Sequence, residues 1–171
     1  MIRTIVVAAC AALALGVAGV AGASQGNDRV VDRFAGPYAL AVDCAEFGPY
    51  AFEVLVEGTE RGSVTDVFDS EGTLVRTDVH ISFQETNTNS VTGTAFSLKG
   101  HVHVVFDYAS NTRTLTGVVF MGKGHEGKAF QDTGRIVLTL DTNEPRFVAG
   151  PHDVFFGGGI DRIGCVTLAG G

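Results

Sequence analysis

The sequence predicts an all-β fold: an antiparallel, mostly up-and-down β-barrel of about eight strands, held by one disulfide. Three observations carry this. Residues of alternating polarity recur along most of the chain, as in Val102, Val104, Phe106 and Tyr108 against His101, His103, Val105 and Asp107. A period of two is that of a half-buried strand. Turn residues such as Ser70-Glu71-Gly72 and Ser110-Asn111 punctuate these runs at short intervals, the pattern of a sandwich or barrel. No long segment has helical periodicity. Consecutive strands joined by short turns favour an up-and-down barrel over a Greek-key sandwich.

The chain opens with an expected signal peptide, residues 1–23. Arg3 is the only charge before Asp28, and Ile5 to Val20 is apolar and rich in alanine. Ala21-Gly22-Ala23 is a small-x-small cleavage site, which places the cut before Ser24. The same stretch is too short and too rich in Ala and Gly for a membrane anchor. Secretion to the extracellular side follows as the expected localisation. Residues 24–33 read as a flexible leader, and residues 34–171 as a single β-barrel domain.

Within that domain Phe34 to Cys44 is an edge strand or a turn of helix. Tyr50 to Glu57 alternates as a strand, Gly58 to Gly62 reads as a turn, and Ser63 to Asp69 as the next strand. Thr73 to Glu85 places Val75, Thr77, Val79, Ile81 and Phe83 on one face. Asn87-Thr88-Asn89 reads as a turn, Ser90 to Leu98 as a strand, and Lys99-Gly100 as a tight turn into the central strand His101 to Tyr108. Ser110-Asn111 makes a hairpin turn. Thr112 to Met121 follows, then a glycine-rich loop from Gly122 to Gly127. Lys128 to Gln131, Gly134 to Asp141 and Arg146 to Ala149 are the last expected strands, ahead of a glycine-rich tail from Phe155 to Gly171.

Lys and Arg number 12 against 19 acids, for a net charge of −7. Loss of Arg3 with the signal makes the balance more negative. This argues against nucleic acid and against anionic membrane surfaces as partners. Cys10 leaves with the signal, so Cys44 and Cys165 remain, and two cysteines in an exported chain pair. A bridge closing so long a loop contributes about 4–5 kcal/mol at most. There is no C-x-x-C, no cysteine beside a histidine, no phosphate loop and no nucleophile elbow. No cofactor is expected. Glu53 and Glu57 stand too far apart along a strand to act as an acid–base pair.

Pairing strands through the Lys99-Gly100 and Ser110-Asn111 turns sorts the side chains into two faces. Gly93, Ala95, Val102, Val104, Phe106, Leu115, Gly117 and Val119 fall on an interior face. Phe96, Leu98, Val118 and Phe120 fall around His101 and His103 on the other. His101, His103, Phe96 and Phe120 are therefore the candidate ligand-binding residues. His80 joins that face, but this register sets it about 10 Å from His103 laterally. Zinc needs ligand atoms near ~2 Å, so no metal site is expected.

The exported leader, Cys44 followed by Phe52-Glu53-Val54, Ser90-Val91-Thr92-Gly93, Gly134-Arg135-Ile136, Gly150-Pro151-His152-Asp153 and the late Cys165 together resemble small secreted actinobacterial proteins of unknown function. At fold level the chain is similar to allene-oxide-cyclase and dirigent barrels, or to a lipocalin. That resemblance implies a ligand-handling barrel and carries over no residue. Three functions follow as expectations. The first is a barrel that binds a small apolar ligand. The second is an isomerase- or cyclase-type barrel enzyme with His101 or His103 as acid–base. The third is a structural protein whose Phe96, Leu98, Val118 and Phe120 form a homo-oligomer interface.

Overall fold

The structure is a computed structural model that describes residues 28–123, 127 and 129–170. The expected signal peptide lies outside the described residues. Seven strands form one antiparallel sheet in chain order: β1 Arg29–Asp43, β2 Glu53–Phe68, β3 Leu74–Asn89, β4 Ala95–Asp107, β5 Thr112–Lys123, β6 Ala129–Thr139 and β7 Pro145–Ala149. Two helices follow, α1 Asp153–Phe156 and α2 Ile160–Ala169. The all-β, antiparallel, up-and-down expectation holds. The sheet has seven strands, and β1 and β7 remain its two edges, so it is open and not closed into a barrel.

The expected Asn87-Thr88-Asn89 turn is the end of β3, and two further expected turns are strand interiors. Gly58 and Gly62 sit inside β2, and Gly100 sits inside β4. Each faces an aromatic ring directly across the ladder. Tyr38 opposes Gly58 and Phe34 opposes Gly62, while Phe83 opposes Gly100. A Cβ on Gly100 would come within 2.2 Å of Phe83, and one on Gly58 within 2.7 Å of Tyr38. The missing side chains leave beds on which the rings lie, which offsets the weak intrinsic strand preference of glycine. Glycine is therefore a packing residue here. Reading it as punctuation cut two long strands in half.

Strand β4 consequently runs unbroken along β3, with His80 opposite His103 and Ser82 opposite His101. The β4–β5 connection has four residues instead of two, with Asn111 at φ 53, and Val104 pairs with Leu115. That shift of two residues from the expected register leaves the faces unchanged. Beyond Ser110-Asn111 the two expected strands around residues 128–141 join into β6. Gly134 (φ 116) lies inside this strand without ending it. Residues 29–33, expected in the flexible leader, open β1.

The inner face carries two packed regions. At one end α2 lies against the sheet, and Cys44, Val54, Val56, Phe96, Leu98, Cys165 and Leu168 form the main core. Cys44 and Cys165 are bonded, with Cα atoms 5.5 Å apart. Asn89 is buried there. Its Nδ2 donates to the Leu168 carbonyl at 3.2 Å, and its Oδ1 accepts from the Val91 and Thr92 amides, so no polar atom of it is left unpaired at the helix end. At the other end Val102, Val104, Ile136 and Leu138 are buried. Helix α2 escaped the sequence reading because its stretch is short and glycine-flanked. Its buried positions Gly164, Cys165 and Leu168 nonetheless follow helical spacing.

Candidate functional site

Continuous alternation in β4 puts its even residues on the inner face and its odd residues on the outer one. Val102 and Val104 are buried, as expected, and His101 points the other way and is exposed. Phe96 and Leu98 are even, and they are core residues on the inner face. The sequence register had placed them beside the histidines, because the supposed Lys99-Gly100 turn inverted their parity. A bulge in β5 between Val118 and Phe120 sends Phe120 to the inner face, edge-on to Phe83 at 5.7 Å between centroids. Val118 does stand beside His101. Of the four candidate ligand residues, the structure brings His101 and His103 together and places Phe96 and Phe120 on the opposite side of the sheet.

The outer face is built of rows that cross five strands. One row is Arg33, Ser63, His80, His103 and Thr116; the next is Ala35, Arg61, Ser82, His101 and Val118; the third is Pro37, Thr59, Gln84, Lys99 and Met121. The second and third rows line an open groove of about 750 Å³. It continues toward Glu57 and Lys123 at one end and toward Arg33 and His80 at the other. Its apolar side chains are Ala35, Pro37, Phe83, Val118 and Met121, and Glu60 also lines it. Arg61 and Lys99 stand among them, in a chain whose net charge is −7.

Three histidines meet on this face. The rings of His80 and His103 stack, 4.0 Å between centroids and 10° from parallel. Direct cross-strand pairing brings them together; the separation expected from sequence came from the supposed Lys99-Gly100 turn, which set a further strand between them. His101 Nδ1 is hydrogen-bonded to Ser82 Oγ at 2.7 Å, and His103 Nε2 to Asp78 Oδ1 at 3.1 Å. Asp78 also accepts from Arg76 at 2.6 Å. Burial pushes the Asp78 carboxyl up, but its bonds to Arg76 and His103 outweigh this and hold it below the usual range. Burial and the neighbouring His103 both lower the pKa of His80, so its neutral form is favoured. Among the described residues no carboxylate bonds to His101, so the Ser82–His101 pair lacks the orienting acid of a hydrolytic triad.

Two polar clusters lie off this face. His152 and Asp132 form a buried pair that sequence reasoning missed. His152 Nδ1 meets Asp132 Oδ1, its Nε2 donates to the Ala149 carbonyl at 3.1 Å, and Asp132 Oδ2 accepts from the Phe155 amide at 2.8 Å. Both ring nitrogens are occupied and both side chains are nearly inaccessible, so the pair pins β6 to α1 and leaves no lone pair for a substrate. The only sequence signal was the Gly150-Pro151-His152-Asp153 segment. On the inner face, Tyr38 donates to Glu85 at 2.5 Å and Asn87 donates to the other oxygen of Glu85 at 2.9 Å. Burial first, then the Glu85 bond, drives the Tyr38 hydroxyl pKa well up, which keeps it a donor. This arrangement serves the rim of the core beneath α2.

No protein family, curated protein or solved structure matches the chain.

Proposed function

We propose that this chain is an exported binding protein that seats a small amphipathic ligand in the outer-face groove, without catalysing a reaction on it. One observation carries the reading: an open groove of about 750 Å³ sets Arg61 and Lys99 among Ala35, Pro37, Val118 and Met121. An apolar body lies over the small and aliphatic side chains, and an anionic head meets the two cations. Charge-assisted bonds to such a head are stronger than neutral ones. Ligand sites typically combine apolar lining with a few polar groups that fix orientation. The sequence alone suggested a barrel binding a mostly apolar ligand, with His101, His103, Phe96 and Phe120 as its candidate residues. The groove favours the outer face and adds a negative head to the ligand. The Cys44–Cys165 disulfide supports export, since such bonds persist in oxidising compartments.

The test uses a fluorescent fatty acid and its uncharged methyl ester as probes. The acid binds, the ester binds at least about tenfold more weakly, and the double variant Arg61→Glu with Lys99→Glu abolishes the difference. Equal binding of acid and ester, or no change in the double variant, sinks the proposal. Native mass spectrometry of protein taken from its source then identifies the natural ligand.

A further inference from the structure

We infer that His80, His101 and His103 form a surface site for a late first-row transition-metal ion, with Cu²⁺ bound most tightly. His101 also lines the groove, but the inference does not depend on the proposed ligand, because it rests on the histidine rings and the side chains that orient them. His80 and His103 are directly paired across β3 and β4, with ring centroids 4.0 Å apart. His101 lies two residues along the same strand and on the same face. A metal-binding histidine has one ring nitrogen oriented by an outer partner and the other free to ligate. Two of the three meet that condition. With Nδ1–H of His101 donated to Ser82 Oγ, its Nε2 lone pair is free. With Nε2–H of His103 donated to Asp78 Oδ1, its Nδ1 lone pair is free. Asp78 is itself held by Arg76, which completes an outer layer around the site.

As the rings stand, no three ligand side chains among the described residues converge on a common point. Parallel stacking of His80 on His103 is the reason, since lone pairs in parallel planes do not meet. His80 is exposed and makes no hydrogen bond among the described residues, so its ring can turn toward His103 and His101 at little cost. Three imidazoles and water make a nitrogen-rich set. That set selects Cu²⁺, Ni²⁺ or Zn²⁺ and rejects Mg²⁺ and Ca²⁺, which demand oxygen.

The experiment titrates the untagged, disulfide-bonded chain with each metal salt at neutral pH, by calorimetry, and records the Cu²⁺ electron paramagnetic resonance spectrum. The expected result is one Cu²⁺ per chain, imidazole nitrogen couplings in the spectrum, and the affinity order Cu²⁺ above Ni²⁺ and Zn²⁺. His80→Ala and His103→Ala each weaken binding by at least about tenfold and remove nitrogen couplings. Asp78→Asn, which keeps all three rings, weakens it by about tenfold through the outer layer. No uptake tighter than about 100 μM overturns the inference. So does uptake of unchanged affinity and spectrum in the His80→Ala/His103→Ala double variant, which assigns the metal to another part of the chain.

Discussion

The two faces of this sheet share every strand and differ in almost everything else. On the inner face glycines alternate with rings and aliphatics: Phe34 over Gly62, Tyr38 over Gly58, Phe83 over Gly100. On the outer face the same strands present Arg33, Arg61, Ser82, Lys99, His80, His101 and His103. Inner-face residues are fixed by their fit to one another, because apolar burial and close packing punish a change in volume or polarity. Outer-face residues are fixed by little, so whatever recurs there without a packing reason is a candidate for function. That contrast separates Phe96 and Phe120, which pack on the inner face, from His101 and His103, which lie on the outer one.

The comparison breaks most visibly at Val104, which is 8% exposed on the inner face. Val104→Asp buries an unpaired carboxylate at a cost of several kcal/mol, on the order of the whole stability of a small domain. The chain should be unfolded by circular dichroism at room temperature, and a folded variant would mean that the inner face at this end is wet.

Next comes the bridge that ties α2 to the sheet. The paired cysteines are 121 residues apart. Cys44→Ser with Cys165→Ser should lower unfolding free energy by about 4 kcal/mol, read from denaturant midpoints. A loss below about 1 kcal/mol would show that packing of Leu168 and the Asn89–Leu168 bond already hold the helix.

Gly100→Val tests the ring beds. The new side chain meets both the Phe83 ring, 2.2 Å from the site of a Cβ, and the Val119 carbonyl oxygen, 2.4 Å from it, and the cost should be about 3 kcal/mol. Paired with Phe83→Ala it should recover part of that loss. Without recovery, the penalty comes from the backbone and the bed has no part in it.

Asp161 on α2 gives a pH signature. Burial first, then Glu85 and Glu46, raise the pKa of its carboxyl above the unfolded value. Its ionised form therefore weakens the fold. The stability it withholds at neutral pH returns as pH falls through the folded pKa. Asp161→Asn should raise the melting temperature at pH 7, and the gain should vanish by about pH 3, where the Asp161 carboxyl is protonated in the folded and the unfolded chain alike. A gain that persists in acid would assign the effect to something other than charge.

The smallest effect is expected on the outer face. His103→Ala removes a half-exposed ring and its bond to Asp78, and should cost under about 1 kcal/mol in thermal denaturation. A larger loss would make the His80–His103 stack a structural element of the sheet.

Alternation alone was enough to establish the antiparallel β-class, the opposed faces of Val102/Val104 and His101/His103, and the strands around Thr112 and Pro145, because a two-residue period is a local property of the chain. The disulfide followed from counting cysteines in a chain read as exported. What only the tertiary structure decided were the properties that depend on a neighbour. Whether Gly58, Gly62 and Gly100 turn the chain or bed a ring is decided by Tyr38, Phe34 and Phe83 on the adjacent strand. One misplaced turn at Lys99-Gly100 carried Phe96 to the wrong face and His80 away from His103. A strand's parity is cheap to read, but its register is set across the ladder by partners distant in sequence. The openness of the sheet, the seat of α2 and the His152–Asp132 pair are of the same kind: each is a contact between segments that no local pattern encodes.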